Sequence, residues 1–112
     1  MFDDIAIDVA TRQYAQPGEE LYDIFHRASE VVRPTFDNPD KADDFVAFIH
    51  YAMRQKKFSP GGRILAGAGT AHGNLLNCFV QDESPYEPGT TEGALHLAKK
   101  LAVVTRVGGG NG

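Results

Sequence analysis

Glycine divides this chain. Before Gly61 the sequence holds a single glycine, Gly18, whereas Gly61, Gly62, Gly67, Gly69 and Gly73 crowd the stretch Phe58–Val80, and Gly108, Gly109, Gly110 and Gly112 crowd the end. Glycine loses the most backbone freedom on folding and tolerates turns that other residues do not. Regular structure is therefore expected before Pro60 and not across Ala66–Asn74. The glycine-rich stretch, FSPGGRILAGAGTAHGNLLNCFV, also contains the one cysteine of the chain, Cys78.

The segment before it reads as helix. From Gly18 to about Val32, Leu21, Ile24, Phe25, Ala28, Val31 and Val32 recur on one face, with Glu19, Glu20, Asp23, Arg27 and Glu30 on the others. Glu19 and Glu20 suit a first turn, and Pro34 ends the helix because it disfavours helical backbone in the preceding residue. A second helix is expected from Asn38, a good N-cap followed by Pro39 and Asp40. Phe45, Phe48, Ile49, Ala52 and Met53 mark its apolar stripe, and Arg54, Lys56 and Lys57 its cationic end. The short link Arg33–Asp37 makes the pair a helical hairpin. Residues Met1–Gln16 are ambiguous: Phe2, Ile5, Ile7 and Val9 alternate weakly with polar neighbours, as in an extended arm or a frayed helix.

Beyond the glycines, Cys78-Phe79-Val80 reads as the start of a short strand and Asp82–Gly89 as a polar loop. Thr90 or Thr91 can cap a last helix, with Glu92 in its first turn. Leu95, Leu97, Leu101, Val103 and Val104 leave it only a thin polar edge at His96, Lys99, Lys100 and Arg106, so burial on most sides is expected. Nothing remains in the chain to cover such a helix, which suggests an incomplete structure. The fold class is mainly α: a helical hairpin, a glycine-rich loop, one short strand and a further helix.

At 112 residues the chain is expected to form one domain. A net charge of −4 argues against nucleic acid or a membrane surface as partner, since both call for a basic face. No apolar run approaches the roughly 20 residues that span a bilayer. The acidic N-terminus lacks the features of a signal peptide. A single cysteine allows no internal disulfide and fits a reducing cytoplasm.

Cys78 has two readings: a buried, inert side chain, or a redox or nucleophilic thiol whose small-residue loop admits a substrate. A thiol enzyme pairing Cys78 with His72 is a further possibility. GAGT and GGGNG lack the spacing of a nucleotide fingerprint or a P-loop, and the glycine tail reads by default as a helix cap and a flexible end. His26, His50, His72 and His96 are scattered without metal-ligand spacing, so no metal is expected, and His26 and His50 read as surface or cap residues. Asp40, Asp43 and Asp44 read as a solvated helix start.

Three ordered motifs carry a resemblance. PGGRILAGAGT (Pro60–Thr70), NCFV (Asn77–Val80) and a helix ending in GGGNG (Gly108–Gly112) resemble the large catalytic subunit of ribonucleotide reductases, most closely the adenosylcobalamin-dependent type. YAQPGEELYDIFHRASEVV then falls in the place of the family's opening helix. The resemblance implies a helical domain over 1–57 and, over 58–112, the beginning of a ten-stranded α/β barrel with Cys78-Phe79-Val80 as first strand. The implied function is that of the N-terminal part of a ribonucleoside-diphosphate reductase, with diphosphate against triphosphate substrate left open. Cys78 matches the cysteine that reduces the ribose and enters a disulfide at each turnover. Thr70, Asn77, Cys78 and Gly110 match residues around the substrate. Adenosylcobalamin is implied for the complete enzyme, and none is expected on this chain alone. The family's radical-bearing cysteine, its asparagine and glutamate, and its second redox cysteine have no counterpart before Gly112, and Asn111 stands where the family more often has an apolar residue or threonine. The chain is therefore expected to be inactive alone and to need the rest of the catalytic subunit, or a homodimer. The alternative is a stand-alone, non-catalytic interaction or regulatory protein derived from the family.

Overall fold

The computed structural model describes residues 1–71, 73–81 and 85–112. His72 and the residues 82–84 of the expected polar loop lie outside the described residues. The described residues are mainly helical, with one two-stranded parallel sheet, and divide into two compact units, Met1–Leu75 and Leu76–Gly112. This division by packing falls later in the chain than the family-based boundary after Lys57. Among the described residues, no helix is long and apolar enough to cross a membrane.

The first unit holds α1 (Asp4–Tyr14), α2 (Leu21–Glu30), a 3-10 turn (Arg33–Thr35), α3 (Pro39–Arg54) and α4 (Gly62–Gly67). The ambiguous N-terminus is a helix, started by Asp3, whose carboxylate accepts from the Ala6 amide at 2.7 Å. Its alternating apolar residues do not mark a core face: Ile5, Ile7 and Val9 are exposed, while Phe2, Ala10 and Tyr14 pack on the core. Helix α2 starts later than expected. Glu20 is its N-cap rather than a first-turn residue, in a reciprocal capping box with Asp23. The hairpin forms as expected, with Asn38 accepting from the amides of Asp40 and Lys41 and Pro39 opening α3. Arg33 bonds Glu30 and Asp43 and pins the link to both helices, holding the Glu30 carboxyl below its usual range.

The core is Leu21, Ile24, Phe25, Ala28, Met53, Leu65 and Ala68. Leu65 of this core comes from α4 and Ala68 from its C-cap; α4 is a short helix that the glycines of the sequence did not suggest. It ends at Gly67, where the chain folds back so tightly that a Cβ on Gly73 would lie 2.0 Å from the Gly67 carbonyl oxygen. The predicted stripe of α3 is split. Ala42, Val46, Ala52 and Met53 are buried, whereas Phe45 and Phe48 are exposed.

What seats α4 is a side chain the pattern assigned to solvent. Arg27 is only 14% exposed and forms two bonds with the Glu19 carboxylate, at 2.7 and 2.9 Å. Its remaining N–H groups donate to the carbonyls of Tyr14 (3.0 Å), Leu65 (3.1 Å) and Ala68 (2.7 Å). Helix C-termini leave carbonyls without partners, and a cation there is favoured by the helix dipole. One guanidinium thus caps α1 and α4 together. The chain must then pass closely over its stem: Gly69 adopts φ +71°, and a Cβ there would meet the Arg27 Cγ at 3.1 Å.

Burial sets the pH response of this unit. Hydrogen bonds from Arg27, opposed by burial, hold the Glu19 carboxyl below its ordinary 4.5. His50, read from the sequence as a surface or cap residue, is half-buried; its Nε2 has no hydrogen-bond partner among the described residues and its ring meets His26 edge-on at 5.8 Å. Burial, with the neighbouring His26 and Arg54 charges, lowers its pKa from 6.5 against an opposing backbone bond at Tyr22. Both groups bind protons more weakly in the folded chain than in the unfolded one, so stability is lost on acidification. Urea unfolding followed across pH should show a plateau near neutrality and two declines. The first starts below about 6.5 and is removed by His50→Leu. The second starts below about 4.5 and is flattened by Glu19→Gln. At pH 7, Arg27→Gln is expected to destabilise the chain by about 3 kcal/mol, since it strands a partly buried carboxylate and two helix ends.

Candidate functional site

The second unit builds one constellation around Cys78. Its elements are β1 (Cys78–Phe79), α5 (Thr91–Arg106) and β2 (Gly110–Asn111). Strand, helix and strand form a crossover unit, because β2 pairs with β1 in parallel, Cys78 opposite Gly110 and Phe79 opposite Asn111. The Gly110 amide donates to the Asn77 carbonyl at 2.7 Å, the Gly112 amide to Phe79 at 2.9 Å, and the Gln81 amide to Gly112 at 3.0 Å.

The turn from α5 into β2 explains most of the glycine tail. Thr90 caps the start of α5 by accepting from the Gly93 amide at 3.1 Å. At its end the Gly109 amide donates to Val104 and the Gly108 amide to Thr105, with Gly108 at φ +77°. This is a Schellman ending, in which a left-handed residue, usually glycine, lets the next amides reach back to the last carbonyls. The tail expected to be flexible is therefore a cap followed by a strand. Gly109 lies under Phe79: a Cβ there would fall 2.6 Å from the ring and 2.9 Å from Val104. Asn111 accepts from the Gln81 side chain at 2.6 Å and donates to the Thr105 hydroxyl at 3.3 Å, tying strand to helix end.

The predicted site residues fall as follows. Cys78 is exposed and free, contrary to its reading as a buried side chain. A Cβ on Gly110 would lie 3.2 Å from the Cys78 sulfur, so the missing side chain leaves space directly beside the thiol. Asn77 adjoins both through its carbonyl. Three of the four residues thus meet at one end of the β1–β2 pair. Thr70 belongs to the first unit, where its hydroxyl donates to the Gly67 carbonyl at 2.8 Å and closes the end of α4. His72, the proposed base of a thiol enzyme, is outside the described residues.

Chemically, an accessible sulfur on a strand end can exchange with a disulfide or attack an electrophile, and the bare Gly110 admits a flat group against the backbone. Among the described residues, no group of three or more His, Cys, Asp or Glu side chains is placed to hold a metal ion. Gln81 and the α5 residues His96, Lys99, Lys100, Val103 and Val104 line a cavity of about 250 Å³, below the roughly 300–1,000 Å³ of small-molecule sites. A corrin does not fit there. Sequence reasoning missed Phe79, Gln81 and Asn111 as supports of the strand pair. The partners of Gln81 and Phe79 lie thirty residues away, and no periodic pattern links them.

Comparison with protein-family models, with curated proteins and with solved structures finds no match for this chain.

The geometry around Cys78 can be read out by its alkylation rate. Gly110→Val should slow reaction of Cys78 with iodoacetamide several-fold while leaving far-ultraviolet circular dichroism unchanged. Gly109→Ala should instead reduce the helical signal, since Phe79 and Val104 would have to move apart.

Proposed function

We propose that this chain is the N-terminal segment of a ribonucleotide reductase catalytic subunit of the adenosylcobalamin-dependent type, supplying a redox thiol and one wall of the nucleotide pocket. The observation that supports this best is the pairing of Cys78 with Gly110. The resemblance assigns both to the same substrate from motifs far apart in sequence, and the parallel register makes them direct neighbours. A strand–helix–strand crossover is also the repeating unit of a parallel α/β barrel. In this reading β1, α5 and β2 are the first such unit of the ten-stranded barrel.

In that role the Cys78 thiol and a second cysteine from the rest of the barrel lose two protons and two electrons as their sulfur–sulfur bond forms. The ribonucleotide takes up those electrons and protons, its 2′ hydroxyl leaves as water, and a deoxyribonucleotide remains. A separate reductant must then return the disulfide to thiols. Adenosylcobalamin supplies radical chemistry in that family, and none of the described residues is assigned to holding it. Cys78 is positioned by the β1–β2 ladder, Asn77 by its carbonyl bond to Gly110, and Gly110 gives the nucleotide close approach. The resemblance assigns Thr70 a substrate contact as well.

The uncovered α5 favours a chain that works in company. Leu95 (66% exposed), Leu97 (48%) and Val103 (60%) stand in solvent, where further barrel helices and strands would cover them. The same surface suits the second reading, a non-catalytic interaction or regulatory protein, and the two part at the thiol.

The test is complementation. The chain is mixed with the C-terminal remainder of such a subunit, adenosylcobalamin, a dithiol reductant and ribonucleoside di- or triphosphates. Deoxynucleotide should form, and Cys78→Ser should abolish it while still binding the remainder. Binding with equal product from wild type and Cys78→Ser, or with none from either, would leave the non-catalytic reading standing.

A further inference from the structure

Helix α3 has a second apolar face that the first unit does not use. Opposite the buried Val46 and Met53, Phe45 is 41% exposed, Phe48 62% and Tyr51 53%, with Phe58 beside them at 48%. They surround an open, largely apolar groove of about 410 Å³ floored by Ile49 and Ala52 and rimmed by Lys57. Phe36, Phe45 and Phe48 continue it as a ring cluster, with centroids 5.2 and 6.3 Å apart. Contiguous exposed aromatic surface of this kind marks an interaction site rather than ordinary surface.

The charges of α3 choose the occupant. Its start carries Asp40, Asp43 and Asp44 against one cation, Lys41; from Phe45 to Lys57 there is no acidic residue, and the end carries Arg54, Lys56 and Lys57. A parallel neighbour would set like ends together. An antiparallel copy, related by a two-fold axis near Phe48, stacks Phe45 on Tyr51 and brings Asp40 of each helix beside the groove-lining Lys57 of the other, while Asp43 is held by Arg33 and Arg54 and Lys56 lie over the rings of Tyr22 and Phe2. The face is therefore complementary to itself, as an isologous interface must be. We infer that this chain self-associates through α3, Phe48 against Phe48, as an antiparallel two-fold dimer.

The dimer is weak. Helix α3 has 16 residues and is about 24 Å long, and one helix face falls short of the roughly 1,200 Å² at which stable interfaces begin. Dissociation constants of roughly 10 μM to 1 mM are the matching range. None of these residues belongs to the Cys78 site, so the inference stands or falls apart from the proposed enzyme role.

Sedimentation equilibrium of the whole chain from a few micromolar to one millimolar tests it. A monomer–dimer equilibrium is expected. Phe48→Asp should abolish it and Phe48→Ala weaken it, both with unchanged circular dichroism, while Leu101→Asp on α5 leaves it intact. Asp40→Lys and Lys57→Glu should each weaken the dimer about tenfold, and the double reversal should restore it. A monomer throughout the range would overturn the inference, as would a dimer lost with Leu101→Asp but kept with Phe48→Asp, or a double reversal that fails to rescue.

Discussion

The first unit depends on one guanidinium. Arg27 is placed by α2, yet what it bonds lies elsewhere: Glu19 before its own helix, Tyr14 at the end of α1, and Leu65 and Ala68 at the end of α4. Those carbonyls sit at helix ends, where no intrahelical donor is available and dipoles converge. A partly buried cation here offsets its lost hydration with a carboxylate and three carbonyls. Hydrophobic packing alone would not select this arrangement, because Leu65 and Ala68 add only two members to a core in which α2 supplies Leu21, Ile24, Phe25 and Ala28. Arg27 fixes where α4 ends, and hence where Thr70 and the glycine loop begin.

Close backbone approach is the second constraint, and it recurs in both units. Gly67 with Gly73, and Gly109 with Phe79, are contacts that a single methyl group would break. In the second unit the contact has a chemical outcome. The Schellman turn brings the chain out of α5 in the direction that lets Gly110 pair with Cys78, and Gly109 allows Phe79 to lie flat against that turn. An accessible thiol beside a bare Cα follows from backbone geometry more than from side-chain packing.

How much of this was legible in the sequence follows from the range of each interaction. Asn38-Pro39, Thr90 and the apolar period of α2 act within one or two turns, and the hairpin, the α5 cap and the strand at Cys78 were all foreseen. Arg27 was misread because helical periodicity reports which face a residue occupies, not what a distant loop brings to that face. The start of α2 was misplaced for a related reason: Glu19 bonds Arg27 eight residues on instead of serving a first turn. The stripe of α3 was too wide, since Phe45 and Phe48 lie beyond the arc that Val46 and Met53 bury. In the candidate site, Cys78 and Gly110 were each noticed, but their register needed the turn after α5, and the glycine run alone reads equally well as a loose end. Nothing local distinguishes an exposed thiol from a buried one beside Phe79 and Val80.

The second unit raises a question of stability that bears on its chemistry. A helix of about this length is marginal in water without tertiary packing, and two paired strands alone are marginal as well. Of α5 only Gly93 is buried, and its leucines face solvent. The cap at Thr90, the Schellman ending and the Asn111 bonds each contribute of order 1 kcal/mol, too little to offset the conformational entropy of ordering some thirty residues. Covering Leu95, Leu97 and Val103 would add roughly 1.5–3 kcal/mol for each large side chain fully buried. A partner that covered α5 would thereby also order the Cys78–Gly110 geometry. In the barrel proposed above, the contacts that complete the pocket would order the thiol as well, so that assembly and reactivity would arise together.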